Sequence, residues 1–289
     1  MEERRKPGGF LRCLGPFFAA VALQNGIAFF ITEIMLVHKI STSTGNYSDI
    51  VMEAMKELTT SDFNAMVSIV YSVLAVIIMG LWYAKDKANN QNVNLSFKGY
   101  SPTIVFGIIF MGIGGQIFCN YIVQMIGKLY PSLLAEYLKL LEDAGLSENV
   151  GLMMIIYAVI FGPVSEELIF RGLIYGKLRR SYRFWTANIL QALLFALFHM
   201  NPMQGIYVFL MGIVFGYLME KTGNIYVTIM LHICYNALAL FMGWMLEAIP
   251  QNPFVTFGFI LASLFLVYIG IMIVLNATSG NDKGAVKEN

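Results

Sequence analysis

Residues 161–180 read FGPVSEELIFRGLIYGKLRR, an apolar run that carries Glu166, Glu167 and Arg171 in its interior. Ionisable side chains at membrane depth are costly, and where they occur they are functional candidates. Helical spacing divides the three. Glu167 and Arg171 stand four apart, share a face and are placed for an ion pair. Glu166 is rotated by about 100° from its neighbour, so it is free to serve an adjacent helix. The reading is one structural carboxylate and one reactive carboxylate. Gly162 and Pro163 sit just upstream. Proline suits a first helical position, and acidic residues suit a first turn. The expectation is a helix broken near Gly162–Pro163, with Glu166 in the first turn of its second half. Such a break is tolerated at membrane depth where it lines a cavity.

The rest of the chain supplies that membrane setting. Its 289 residues are 57% hydrophobic and 13% charged, whereas soluble domains carry about 25% charged residues. Spans are expected near 16–37, 63–84, 102–127, 149–176, 185–200, 203–220, 224–245 and 252–275, two of them short or interrupted. Unbroken hydrophobicity excludes the alternation of a membrane barrel. The predicted fold is therefore an all-α polytopic transmembrane helical bundle of about eight spans. It divides into N-terminal spans of unassigned role (1–148), a core (149–245) and a last span with its tail (246–289). A net charge of +1 gives no pull towards nucleic acid, and no P-loop or dinucleotide fingerprint occurs. Cys13, Cys119 and Cys234 are too widely spaced for a disulfide framework or zinc knuckle. The N-terminal apolar run is longer than a signal peptide and reads as a retained first span.

Cation distribution sets the orientation. With both termini cytoplasmic, the inner segments hold Arg4, Arg5, Lys6, Arg12, Lys85, Lys87, Lys98, Lys177, Arg179, Arg180, Arg183, Lys221, Lys283 and Lys287. The outer segments hold only Lys39, Lys56, Lys128 and Lys139, and Arg171 alone lies within a span. YPSLLAEYLKLLEDAG (130–145) places Leu133, Leu134, Tyr137, Leu138 and Leu141 on one face, with Ser132 as N-cap and Gly145 as stop. It reads as an interfacial helix in preference to a lid. DIVMEAMKEL (49–58) repeats the pattern in shorter form. Gly112, Gly114 and Gly115, and the pair Gly212 and Gly216, are expected to bring helices close.

Two further polar sites lie in apolar surroundings: Phe195 with His199, and His232 with Asn236. Glu166 and His199 lie at similar distances on either side of the basic turn near Tyr182, so an antiparallel hairpin brings them level. His232 and Asn236, four apart, share a face. His38, at the end of the first span, reads as an interfacial residue. Singly, each polar residue has a structural explanation in packing. Two carboxylates, two histidines and an amide on three helices point instead to a common site.

EExxxR (Glu166, Glu167, Arg171), FxxxH (Phe195, His199) and HxxxN (His232, Asn236) occur in the order and spacing of a known family. Over residues 160–240 the chain resembles the CAAX-protease and bacteriocin-processing (CPBP, or Abi) intramembrane proteases, of which the type II CAAX prenyl endopeptidases are a branch. The resemblance implies an eight-helix bundle with a cavity open to the membrane and hydrolysis of a peptide bond near the bilayer surface. By motif position Glu166 is the general base, Glu167 and Arg171 support it, and His199, His232 and Asn236 complete the site. The implied partners are the lipid bilayer and a peptide or protein substrate cut at a membrane-proximal site. A bacterial cytoplasmic membrane suits the short loops.

Peptide hydrolysis needs an activated water and a stabilised oxyanion. In a metal-free version Glu166 activates water that His199 orients, while His232 and Asn236 donate to the oxyanion. In a one-zinc version His199, His232 and Glu166 are the ligands. The metal-free version is preferred, because no HExxH occurs and ligation would occupy the evident base. The alternative from another class is a non-catalytic transporter, bacteriocin-immunity factor or scaffold that uses the same cluster for binding. Carriers often carry an internal repeat, and none is found here.

Overall fold

The computed structural model describes residues 8–88, 102–147, 150–247 and 252–285. Among the described residues every regular element is helical. The helices are α1 (Gly9–Thr42), α2 (Tyr47–Leu58), α3 (Ser61–Ala88), α4 (Pro102–Leu129) and α5 (Pro131–Asp143). They continue with α6 (Leu152–Arg179), α7 (Phe184–Phe198), α8 (Pro202–Thr222), α9 (Ile225–Glu247) and α10 (Pro253–Ala285). Six of them (α1, α3, α4, α6, α8 and α10) are long and apolar enough to cross a membrane. Apolar stretches of α7 and α9 are shorter. The polytopic bundle expected from sequence is thus the observed class. Its predicted boundaries depart most at the ends, where α1 begins at Gly9 and α10 runs to Ala285. Arg4, Arg5, Lys6, Lys98 and Lys287 lie outside the described residues.

Helix α6 is the hub, packed against α1, α3, α7 and α9. One apolar core surrounds it, with Ile169, Phe170, Leu173, Ile174 and Leu178 fully buried beside Cys13, Met79 and Phe195. A second core joins α4, α8, α9 and α10 through Ile108, Met111, Phe215, Leu231 and Val274. The bundle's outer surface remains apolar: Phe29, Phe30, Phe254 and Phe265 are all exposed, as lipid-facing side chains should be. At one end of the bundle, ion pairs fix the C-terminus of α6. Asp86 of α3 accepts from Lys177 at 3.2 Å and Arg180 at 2.8 Å. Glu220 of α8 accepts from Arg179 at 2.7 Å and from the Tyr175 hydroxyl at 2.6 Å.

Glycines set the closest helix contacts, as their clustering predicts. A Cβ on Gly114 of α4 would meet the Ser263 carbonyl of α10 at 2.5 Å, and one on Gly270 would meet the Gly107 carbonyl at 2.5 Å. Gly212 and Gly216 likewise bring α8 onto Ala192 and Asn188 of α7. One detail of α5 corrects the sequence reading. Pro131 takes the first helical position and Tyr130 the cap, so Ser132 lies inside the helix. Gly145 does stop it, at φ +70°, with Leu146 N–H bonded to the Leu141 carbonyl at 2.8 Å.

The backbone opposite Gly270 cannot move aside as a flexible side chain could. Gly270→Val should therefore lower the thermal midpoint of the detergent-solubilised protein, at a cost of at least about 1–3 kcal/mol from overpacking. Gly258→Val on the same helix, where a Cβ meets nothing within 4 Å, should leave the midpoint near wild type.

Candidate active site

Helix α6 reaches the site by changing pitch. Its backbone runs unbroken from Leu152 to Arg179, but Tyr157–Phe161 and Leu168–Tyr175 are π-helical. This corrects the expected break at Gly162–Pro163. Phe161 and Gly162 keep right-handed helical angles, and Glu166 lies inside a continuous helix. The proline is accommodated by widening. Gly162 N–H bonds the Tyr157 carbonyl five residues back, and a Cβ at Gly162 would lie 3.2 Å from that oxygen. In the same register the Ala158 carbonyl would face residue 163, a proline without an N–H. Asn236 of α9 supplies the missing donor, its Nδ2 bonding the Ala158 carbonyl at 2.8 Å.

Glu167 and Arg171 form the ion pair that their spacing predicts. Both are fully buried, and Arg171 Nη1 donates to Glu167 Oε1 at 2.9 Å. The same oxygen takes His232 Nδ1 at 2.9 Å. The guanidinium carbon lies 4.3 Å from the Phe195 ring centre and 4.9 Å from that of Phe215, so two π faces cover what the single hydrogen bond leaves. FxxxH therefore has a use for its phenylalanine: Phe195 covers Arg171 and packs edge-on against both histidines.

Glu166 is placed differently. Its side chain is 16% exposed, and its Oε2 lies 3.7 Å from His232 Nε2. It lines a cavity of about 840 Å³ together with His199, His232 and Asn236. His199 stands one residue past the end of α7, its Nδ1 held by the Phe195 carbonyl at 2.9 Å. The turn that follows contains Met200 at φ +52°, and Asn201 caps α8 through Gln204 N–H at 2.9 Å. The structure thus brings all six candidate residues to one region, with Glu167 and Arg171 behind the wall and the other four on it.

Most of the remaining wall comes from helices without a motif. Asn64, Ser68 and Tyr71 of α3, Gln116 and Asn120 of α4, and Gln24 of α1 all face the cavity. The polar stripe at 64, 68 and 71 has helical spacing within an apolar span, and that was the readable sign. Helix α5 contributes Leu134, Tyr137 and Leu141, with Tyr137 and Tyr207 hydroxyls 3.3 Å apart. Helix α5 thus turns part of its apolar face to the cavity. Among the described residues no three His, Cys, Asp or Glu side chains have the arrangement of a metal site. Both Nδ1 atoms are already bonded within the protein, so Nε2 is the ring nitrogen that each histidine can still offer.

Removing one partner from a buried ion pair strands the other charge. Glu167→Ala and Arg171→Met should each cost about 3–5 kcal/mol of stability, measured as thermal unfolding in detergent micelles. The double variant should lose less than the sum, since neither charge is then left alone.

Residues 148–238 match the type II CAAX prenyl endopeptidase Rce1-like family. A Bacillus subtilis (strain 168) protein provisionally named membrane peptidase YdiL is 25% identical over 181 residues, covering 62% of this chain and 70% of its own. No solved structure matches the chain significantly. The motifs, their convergence and both matches agree: through residues 148–238 the chain is similar to the type II CAAX prenyl endopeptidase Rce1-like family.

Proposed function

We propose that this protein is an intramembrane endopeptidase in which Glu166 activates water against a peptide bond of a membrane-associated substrate. The observation that carries this reading is the division between adjacent carboxylates. Glu167 is fully buried and bonded to Arg171 and His232, whereas Glu166 faces the cavity and meets that network only at His232 Nε2, 3.7 Å from its Oε2. A carboxylate sealed from the cavity, with one oxygen held by two donors, is a poor base, and one beside open space can take a proton.

The steps follow from the side chains. Glu166 accepts a proton from a water that His199 Nε2 orients, since His199 Nδ1 is tied to the Phe195 carbonyl. The hydroxide attacks the scissile carbonyl carbon. The resulting oxyanion is stabilised by His232 Nε2, the ring being anchored on Glu167 through Nδ1. Glu166 then passes its proton to the amide nitrogen, the C–N bond breaks, and an acid and an amine leave. Preference for this route over zinc rests on Glu166, which as a metal ligand would no longer be available as the base, and no step passes through a metal.

The wall supports a peptide rather than an ion as occupant. Amides of Gln24, Asn64, Gln116 and Asn120 offer donors and acceptors without charge. An unwound peptide withdrawn from water needs such partners for its backbone. The cation bias supports both termini in the cytoplasm, and we place the protein in a bacterial cytoplasmic membrane.

The test is a comparison of new N-termini in membranes carrying wild type or Glu166→Gln. Loss of a general base costs about 10²–10⁴-fold, so a defined set of cleavage products should vanish. An unchanged set would refute the protease reading in favour of a binding protein.

A further inference from the structure

Asn236 is on the cavity wall, and the proposed reaction could use its amide on the oxyanion. Its hydrogen bond points elsewhere. The Nδ2 donates at 2.8 Å to the Ala158 carbonyl, two helices of separate sequence being joined across 78 residues. That acceptor is a particular one. In the π register of Tyr157–Phe161 the Gly162 N–H goes to Tyr157. The next donor in turn would come from residue 163 and the next acceptor is Ala158. Pro163 has no N–H, and its ring is tolerated inside a helix only where another group satisfies the freed carbonyl.

We infer that Asn236 is a positioning residue that stands in for the N–H Pro163 lacks, holding the widened turn of α6 at the pitch that aims Glu166 into the cavity. Glu166 follows Pro163 by three residues, less than one helical turn, so a change in register at Ala158 rotates the carboxylate directly. Neighbouring bonds act in the same direction. Ser165 Oγ closes on the Gly162 carbonyl at 2.9 Å, and Gly162 lets the turn tighten against Tyr157. His232, one turn before Asn236 on α9, is bound to Glu167 at 2.9 Å. Helix α9 thus grips α6 on both sides of Glu166, once through a side-chain carboxylate and once through a backbone carbonyl. A structural amide bonding any convenient carbonyl would not need to choose the one orphaned by the proline.

The inference deepens the peptidase reading and rests on it only for its activity arm. A double-mutant cycle between Pro163 and Asn236 tests it. Asn236→Ala should lower the thermal midpoint in the Pro163 background and change it little in the Pro163→Ala background, where the backbone again provides a donor. An equal loss in both backgrounds overturns the inference, whether or not the protein cleaves anything. Turnover is read on the cleavage products defined by Glu166→Gln. Asn236→Ala should lose on the order of tenfold to a hundredfold in turnover with KM held, as a misaimed base would, and Pro163→Ala should recover most of it. Pro163→Ala should retain activity by itself. If it is silent, or if the double variant stays as slow as Asn236→Ala, the amide acts on the reacting atoms and the positioning role is wrong. If Glu166→Gln cleaves like wild type, the peptidase reading fails alone, and the thermal cycle still decides the role of Asn236.

Discussion

Charge burial at Glu167 is the constraint around which the site is organised. One of its oxygens accepts from Arg171 on its own helix and from His232 on α9. Withdrawing a carboxylate and a guanidinium from water is expensive, and their mutual attraction repays it only with good geometry and extra hydrogen bonds. Here the extra terms are an imidazole and two phenyl faces. The network therefore contributes little net stability and a great deal of specificity. Any arrangement in which α7 or α9 slips loses Phe195 or His232 from a charge that cannot be left bare. The buried partner in EExxxR thereby fixes where its cavity-facing neighbour points.

Backbone irregularity does the complementary work. An α-helix advances its side chains by a fixed angle, so two consecutive glutamates cannot be aimed independently by sequence alone. The π segments on either side of Gly162–Glu167 alter the local pitch above and below the pair. Pro163 makes the first of these segments necessary, and a donor from another helix makes it affordable. His199 reaches the same level by a different device. Helix α7 ends after 15 residues, about 22 Å at 1.5 Å per residue, which leaves its last turn short of a full crossing. Irregular backbone of this kind is acceptable at depth only where protein or a wet cavity surrounds it.

Much of this was legible from the sequence, and the reasons are specific. The Glu167–Arg171 pair follows from spacing of four, the close helix contacts from clustered glycines, and the convergence of three helices from the cost of burying ions in lipid. The pitch of α6 was not legible. A Gly-Pro pair reads equally as a break or as a widened turn, and the deciding partner, Asn236, lies 78 residues away. Nor did spacing announce that Phe195 would cover Arg171, since an aromatic four residues before a histidine reads first as packing. The polar face of α3 was visible in principle but competed with the ordinary explanation of helix–helix hydrogen bonding.

The motif-free first half gains its meaning from the cavity. The motif-bearing helices α6, α7 and α9 present a carboxylate and two imidazoles, yet only one side of a binding space. Its opposite side is made by uncharged amides and phenols from α1, α3 and α4, with α5 across the opening. Uncharged groups suit that position for a physical reason. A further buried charge there would compete with Glu167 and Glu166 for Arg171 and His232, disturbing the balance that separates their duties. Amides can meet a peptide backbone without entering that competition.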